Sequence, residues 1–204
     1  MRIDRIELVH IRIPLHTPFR ISSGAVSEKD AIVVVVYSEG LVGYGEASPM
    51  AGTFYSEDSP ESTWECLTSE ILPKLTSRRE LDRDQLSLIL DGIQGNSFAK
   101  AGIETAFWDL EAKQNAVPLY KLLGGQEKRI PSGLAVGIFQ TLTELLSTIE
   151  RYLTEGYKRV KIKIEPGWDI EPVKEVRKHF GNVPLMVDAN AAYCRNDISL
   201  FQQL

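Results

Sequence analysis

The chain has 204 residues, 43% of them apolar and 25% charged, and a formal net charge of −5. That length holds one or two domains with a sizeable core, and the acidic balance argues against a general binder of nucleic acid or of anionic membranes. Cys66 and Cys194, the two cysteines, have neither zinc-ligand spacing nor the density of a disulfide scaffold. They read as free thiols of a reducing cytoplasm. The opening "MRIDRIELVHIRIPL" alternates charged and apolar residues, unlike a signal peptide, and the longest apolar run, Ala31 to Tyr37, is too short to span a bilayer. The expectation is a cytoplasmic protein with no nucleic-acid or membrane partner.

In chain order, Ile3, Ile6, Leu8, Ile11 and Ile13 mark a long strand that Pro14 is expected to interrupt. A loop, "HTPFRISSGAVSEKD", leads to "AIVVVVYSEGLVGYGEA", read as a hairpin turning at Glu39–Gly40. Ser59 followed by Pro60 makes a good helix start. A second helix is predicted over Asp84 to Ile93. A third is predicted in "FAKAGIETAFWDLEAKQN", where Ala99, Ile103, Ala106, Leu110 and Lys113 recur at helical steps. Gly102 inside it implies close packing, since glycine there costs about 1 kcal/mol against alanine. "PLYKLLGG" reads as a short helix, and Trp108 and Tyr120 as packing residues.

From Ile130 the pattern changes. "IPSGLAVGI", "KRVKIKI" and "VPLMVDAN" are strands, alternating with helices in "TLTELLSTIERYLTEG", "DIEPVKEVRKHFG" and "NDISLFQQL". This alternation predicts βα units and a parallel sheet. Three strands do not close a barrel, which needs about eight strands and roughly 250 residues. The chain also stops inside a predicted helix, so the expectation is a piece of a longer protein.

Strand alternation places Lys161 and Lys163 on one face, and Val160, Ile162 and Ile164 on the other. Met186, Asp188 and Asn190 likewise share a face. Lys163 and Asp188 fall at the C-terminal ends of consecutive strands, where parallel βα sheets gather their sites. Two readings stay open on spacing alone: a structural Lys–Asp ion pair or solvated strand ends, and a catalytic cluster.

The ordered set "FAKAGIETAFWDLEAKQNAVPLYKLLGG", "KIKIEPGWD" and "LMVDAN" resembles the enolase superfamily, within its muconate-lactonizing subgroup. The resemblance covers essentially the whole chain. It implies an α/β fold class: an α+β capping domain over residues 1–125, then residues 126–204 as the first three strands of an incomplete (β/α)7β barrel. It also implies that Lys163 exchanges the proton α to a carboxylate, supported by Lys161, and that Asp188 ligates Mg²⁺, with Mn²⁺ as an alternative. Asn190 would lie beside the site. Such chemistry needs a cation to stabilise the second negative charge, and a lysine base needs a cationic neighbour. Phe19, Arg20 and Ser23 in "PFRISSG", and Tyr55 in "GTFYSED", correspond to two loops that shape specificity. Ala135 stands where several relatives would have a serine near the substrate, which puts first-strand contacts in doubt.

The implied activity is that of a Mg²⁺-dependent carbon–oxygen lyase, o-succinylbenzoate synthase, a dehydration in menaquinone formation. N-acylamino acid racemase and dipeptide epimerase are the alternatives. A non-catalytic α/β binding or assembly module is the reading from another class. The expected partner is a small carboxylate substrate, with self-association of the intact protein. The remaining acidic ligands and an opposing lysine would lie beyond residue 204, so the isolated chain is expected to be inactive and to bind Mg²⁺ weakly.

Overall fold

The computed structural model describes residues 1–52, 54–78, 80–126 and 129–204. It divides into two compact units, Met1–Leu15 with Glu28–Glu127, and His16–Ser27 with Lys128–Leu204. Among the described residues no helix is long and apolar enough to cross a membrane.

Three strands, β1 (Arg5–Ile21), β2 (Gly24–Ser38) and β3 (Leu41–Ala47), form an antiparallel sheet with β2 in the middle. Alternation along β2 buries Ile32, Val34 and Val36 completely, in one core with Leu67, Ile71, Leu75, Ile103 and Leu110. The β2–β3 turn falls at Glu39–Gly40 as predicted. Ser38 pairs with Leu41, and the two turn residues have φ of 49° and 82°, the left-handed pair that a two-residue hairpin of this twist requires.

Pro14 does not interrupt β1, and residues 16–30 are a second hairpin rather than a loop, turning at Ser22–Ser23. The reason lies in sheet order. β1 is an edge strand, and an edge tolerates a residue that cannot donate to the ladder.

The helices are α1 (Pro60–Glu65), α2 (Leu72–Thr76), α3 (Arg83–Asp91), α4 (Ser97–Gln114) and α5 (Leu119–Leu122). Ser59 caps α1 by accepting from the Ser62 amide at 3.2 Å, and Asp82 caps α3 through the Gln85 amide at 2.8 Å. Between α1 and α2 the helix widens to a π-helical stretch, Cys66–Ile71. Pro73 follows at once, and the wider turn accommodates a residue that lacks an N–H and crowds the preceding turn. Trp108 is covered by the Arg83 guanidinium, 4.0 Å from its ring centroid. Tyr120, expected to pack, is instead 37% exposed.

Helix α4 lies on β3 where side chains are smallest. A Cβ on Gly102 would meet the Ala47 Cβ at 2.9 Å, and one on Gly45 would fall on the Gly102 carbonyl oxygen and 2.6 Å from the Ala106 nitrogen. The same helix satisfies the outer edge of β3. The Tyr44 amide donates to Asp109 at 2.8 Å, and Lys113 Nζ donates to the Val42 carbonyl at 2.7 Å. An edge so occupied is a poor template for a further strand. Because Gly45→Ala would force helix and strand backbones apart, we expect it to destabilise the first unit by about 2 kcal/mol in chemical denaturation. A change within 0.5 kcal/mol, on the scale of ordinary surface substitutions, would show that this contact yields.

In the second unit, β4 (Gly133–Val136), β5 (Arg159–Lys163) and β6 (Leu185–Asp188) form a parallel sheet in that order. α6 (Leu142–Thr154), α7 (Ile170–Phe180) and a short α8 (Ile198–Phe201) complete the βα alternation. Val160, Ile162 and Ile164 pack with Leu145, Ile149, Val173 and Val176, and Leu185, Val187 and Ala189 lie against the same cluster. One face of β5 and β6 is thereby committed to the helices. The other carries the lysines, Asp188 and the more exposed Met186.

Candidate functional site

β5 and β6 run in parallel register with Lys163 opposite Asp188 and Lys161 opposite Met186. The register sets the two strand ends level, so side chains of the same face meet. Lys163 Nζ donates to Asp188 Oδ2 at 2.8 Å and to Asn190 Oδ1 at 2.6 Å. Lys161 Nζ approaches the same Asp188 oxygen at 3.1 Å. Oδ1 of Asp188 is left to accept from the Asn190 amide at 3.1 Å. Asn190 can double back in this way because its backbone is left-handed, at φ 46°, followed by Ala191 at 61°. Asparagine tolerates that conformation better than most residues.

Burial separates the two lysines. Lys163 is only 7% exposed, whereas the Lys161 side chain is 36% exposed. Buried N–H donors need acceptors, and Asp188 and Asn190 each accept one from Lys163. The hydrogen bond from Lys163, followed by that from Lys161, outweighs the desolvation of Asp188 and holds its pKa down at about 2. Two ammonium groups against one carboxylate leave a formal excess of positive charge, an environment suited to an anionic ligand.

The low Asp188 value fixes the direction of its pH dependence. Its folded pKa lies below the ordinary 3.8, so its stabilisation is fully present above about pH 4 and is lost as pH falls through about 2. We expect wild type to exceed Asp188→Asn by roughly 2 kcal/mol at pH 6 in metal-free buffer, with the gap closing toward pH 2. A gap that stays constant with pH would contradict the ion-pair assignment.

Asp188 offers a hard oxygen of the kind a divalent cation takes, and Asn190 Oδ1 is a second oxygen beside it. Among the described residues no group of three or more His, Cys, Asp and Glu side chains could hold a metal ion. Asp188 is thus fit to be one ligand of a Mg²⁺-type site, and the described residues do not complete such a site.

Ala135 pairs with Lys161 across β4–β5 and is exposed, so it borders the lysine row. Phe19 and Arg20, at the end of β1, belong to the second unit. A Cβ on Gly137 would meet the Arg20 carbonyl oxygen at 3.0 Å and the Phe19 ring at 3.4 Å. Ser23 is exposed at the hairpin turn, and no side-chain bond joins it to the cluster. Tyr55 belongs to the first unit and is 50% exposed. Thr53, in the same predicted loop, lies outside the described residues.

Four residues that the sequence reading did not single out also lie at the strand ends. Glu165 pairs with Arg20 at 2.6 Å, and Ser22 donates to the Ala189 carbonyl at 2.7 Å. The Tyr193 hydroxyl donates to Asp169 at 2.8 Å, and Asp169 also caps α7 through the Ile170 amide at 2.6 Å. Glu165 had a signal, since it continues the alternation of Lys161 and Lys163.

Residues 4–124 match the profile of the mandelate racemase / muconate lactonizing enzyme N-terminal domain, and residues 144–203 match the enolase C-terminal domain-like profile. Over its whole length the chain is 40% identical to an o-succinylbenzoate synthase of Geobacillus kaustophilus, of which it covers 55%. It is 35% identical over 97% of its length to an N-succinylamino acid racemase of Amycolatopsis sp, covering 54% of that protein. An enolase-superfamily member from Listeria innocua superposes on all of the chain with a TM-score of 0.89 at 35% identity, and the chain covers 54% of it. The chain therefore spans about half the length of the relatives it matches.

Proposed function

Because the chain belongs to the mandelate racemase / muconate lactonizing enzyme family, we propose that it carries the base-bearing part of a site that removes the proton α to a carboxylate. The observation that carries this reading is the meeting of Lys161 and Lys163 on one oxygen of Asp188 at the ends of adjacent parallel strands. In the proposed reaction Lys163 Nζ, having first released a proton to solvent, keeps two N–H bonds for its acceptors and takes the α-proton on its lone pair. Lys161 stays charged beside it and offsets the negative charge that develops on the substrate carboxylate. Asn190 and Asp188 hold the Lys163 amine in place through the bonds they accept from it. A Mg²⁺ ion, or Mn²⁺ in its place, would be held by Asp188 together with further oxygen ligands, and when bound would stabilise that developing charge as a Lewis acid.

The net reaction proposed for the intact protein is a dehydration, that of an o-succinylbenzoate synthase in menaquinone formation, set in the cytoplasm. N-acylamino acid racemisation is the second reading, favoured by the 35% identity to a racemase. Dipeptide epimerisation ranks below both. The same lysine could serve all three, since each begins with loss of an α-proton.

The discriminating experiment assays the intact gene product, including any residues beyond these 204, with Mg²⁺ on the o-succinylbenzoate precursor and on N-succinyl amino acids. We expect dehydration to have the higher kcat/KM. Faster racemisation would move the assignment to the second reading, and turnover of neither would overturn both.

A further inference from the structure

The tip of the β1–β2 hairpin is bonded to the end of every strand of the parallel sheet. The Ile138 amide, just past β4, donates to the Arg20 carbonyl at 2.9 Å. Beyond β5, Arg20 Nη2 donates to Glu165 at 2.6 Å, two residues after Lys163. Beyond β6, Ser22 Oγ donates at 2.7 Å to the carbonyl of Ala189, the residue between Asp188 and Asn190. That carbonyl also accepts from the Ala192 amide at 3.1 Å, closing the turn that contains the left-handed Asn190 and Ala191. Ile21, between Arg20 and Ser22, is 3% exposed, so the tip is anchored by burial as well.

We propose that Arg20, Glu165 and Ser22 are positioning residues, which hold Lys163 and the Asp188–Asn190 turn at the spacing that proton transfer needs. Three considerations support this. A left-handed asparagine followed by a left-handed alanine is an unfavourable backbone and persists only where its surroundings fix it. Ser22 supplies such a bond at the carbonyl that opens the turn. The Arg20 guanidinium is directed to Glu165, with its charge balanced there. On this proposal Arg20 holds the strand end, whereas the sequence resemblance implies a substrate contact. Finally, the cluster works only if the Lys163 amine meets its acceptors at hydrogen-bond distance, and small misplacements of reacting groups are expensive in rate. The consequence for turnover rests on the proposed proton abstraction, whereas the consequence for the strand ends does not.

The test compares Arg20→Met, Glu165→Gln, Ser22→Ala and the charge swap Arg20→Glu with Glu165→Arg in the intact gene product. Two readouts are taken: steady-state kinetics, and amide hydrogen exchange at Asn190 and Ala192. Each single variant is expected to lower kcat about tenfold with KM within about twofold. Exchange at the two amides should quicken in the same variants, and the swap should recover part of the loss in kcat. A KM rise of about tenfold in Arg20→Met alone, with Glu165→Gln unaffected, would make Arg20 a substrate ligand and overturn the proposal. Unchanged exchange in all the single variants would also overturn it. Full activity in Lys163→Ala would instead refute the proposed function, and the exchange measurement would still decide the positioning role.

Discussion

Replacing Lys163 with alanine is expected to reduce turnover by roughly 10³-fold while leaving the protein folded. The size follows from what a positioned acid–base group contributes, typically about 10²–10⁴. The fold should survive because Asp188 keeps Lys161 at 3.1 Å and the Asn190 amide at 3.1 Å, so its charge is not left buried and alone. Lys163→Arg sharpens the result. A guanidinium preserves the positive charge and can still bond Asp188, but it does not give up its proton. If Lys163 serves only a structural ion pair, as in a binding or assembly module, Lys163→Arg should behave much like wild type. If Lys163 is the base, both variants should be equally inactive. An unchanged circular dichroism spectrum and a cooperative denaturation transition, lowered by the lost Lys163–Asp188 bond but well clear of the assay condition, would confirm that the loss is chemical.

The second large effect is expected from Asp188→Ala, read as stability. This change leaves Lys163, 7% exposed, with Asn190 as its remaining acceptor and with Lys161 as an unbalanced like charge nearby. Breaking a buried pair by removing one partner costs about 3–5 kcal/mol. The Asp188 side chain is 27% exposed, which lets water offset part of that, so about 3 kcal/mol is expected from urea unfolding of the second unit. The double variant Asp188→Ala with Lys163→Met should recover most of the loss, because it removes the orphaned charge. Equal destabilisation in the single and double variants would mean that lost packing, rather than unpaired charge, governs the site.

Much of this arrangement is legible in the sequence because strands have a strict period of two. Counting along "VKIKI" and "MVDAN" separates Val160, Ile162 and Val187, which pack under the helices, from Lys161, Lys163 and Asp188, which meet on the other face. The turn at Glu39–Gly40 and the α4 stripe were legible for similar local reasons. What the sequence hides is set by contacts distant along the chain. Residues 16–30 look like a loop because proline and short polar residues obscure any alternation, and they become a hairpin because β2 supplies a ladder for an edge strand. The bond from Ser22 to the Ala189 carbonyl joins residues 167 apart, and no local pattern announces it. The π-helical stretch before Pro73 is equally silent, since apolar spacing does not distinguish a widened turn from a regular one.

Solvent deuterium exchange tests the central claim most directly. The intact protein is incubated in D₂O with Mg²⁺ and an N-succinyl amino acid, and loss of the α-proton signal is followed by NMR. Each enantiomer is supplied separately, and we predict wash-in of deuterium at the α-carbon of both by wild type, and none above background by folded Lys163→Ala for the enantiomer whose α-proton faces Lys163. Exchange of both enantiomers by Lys163→Ala at the wild-type rate would show that the proton is taken by another group, and the assignment of the base would fall.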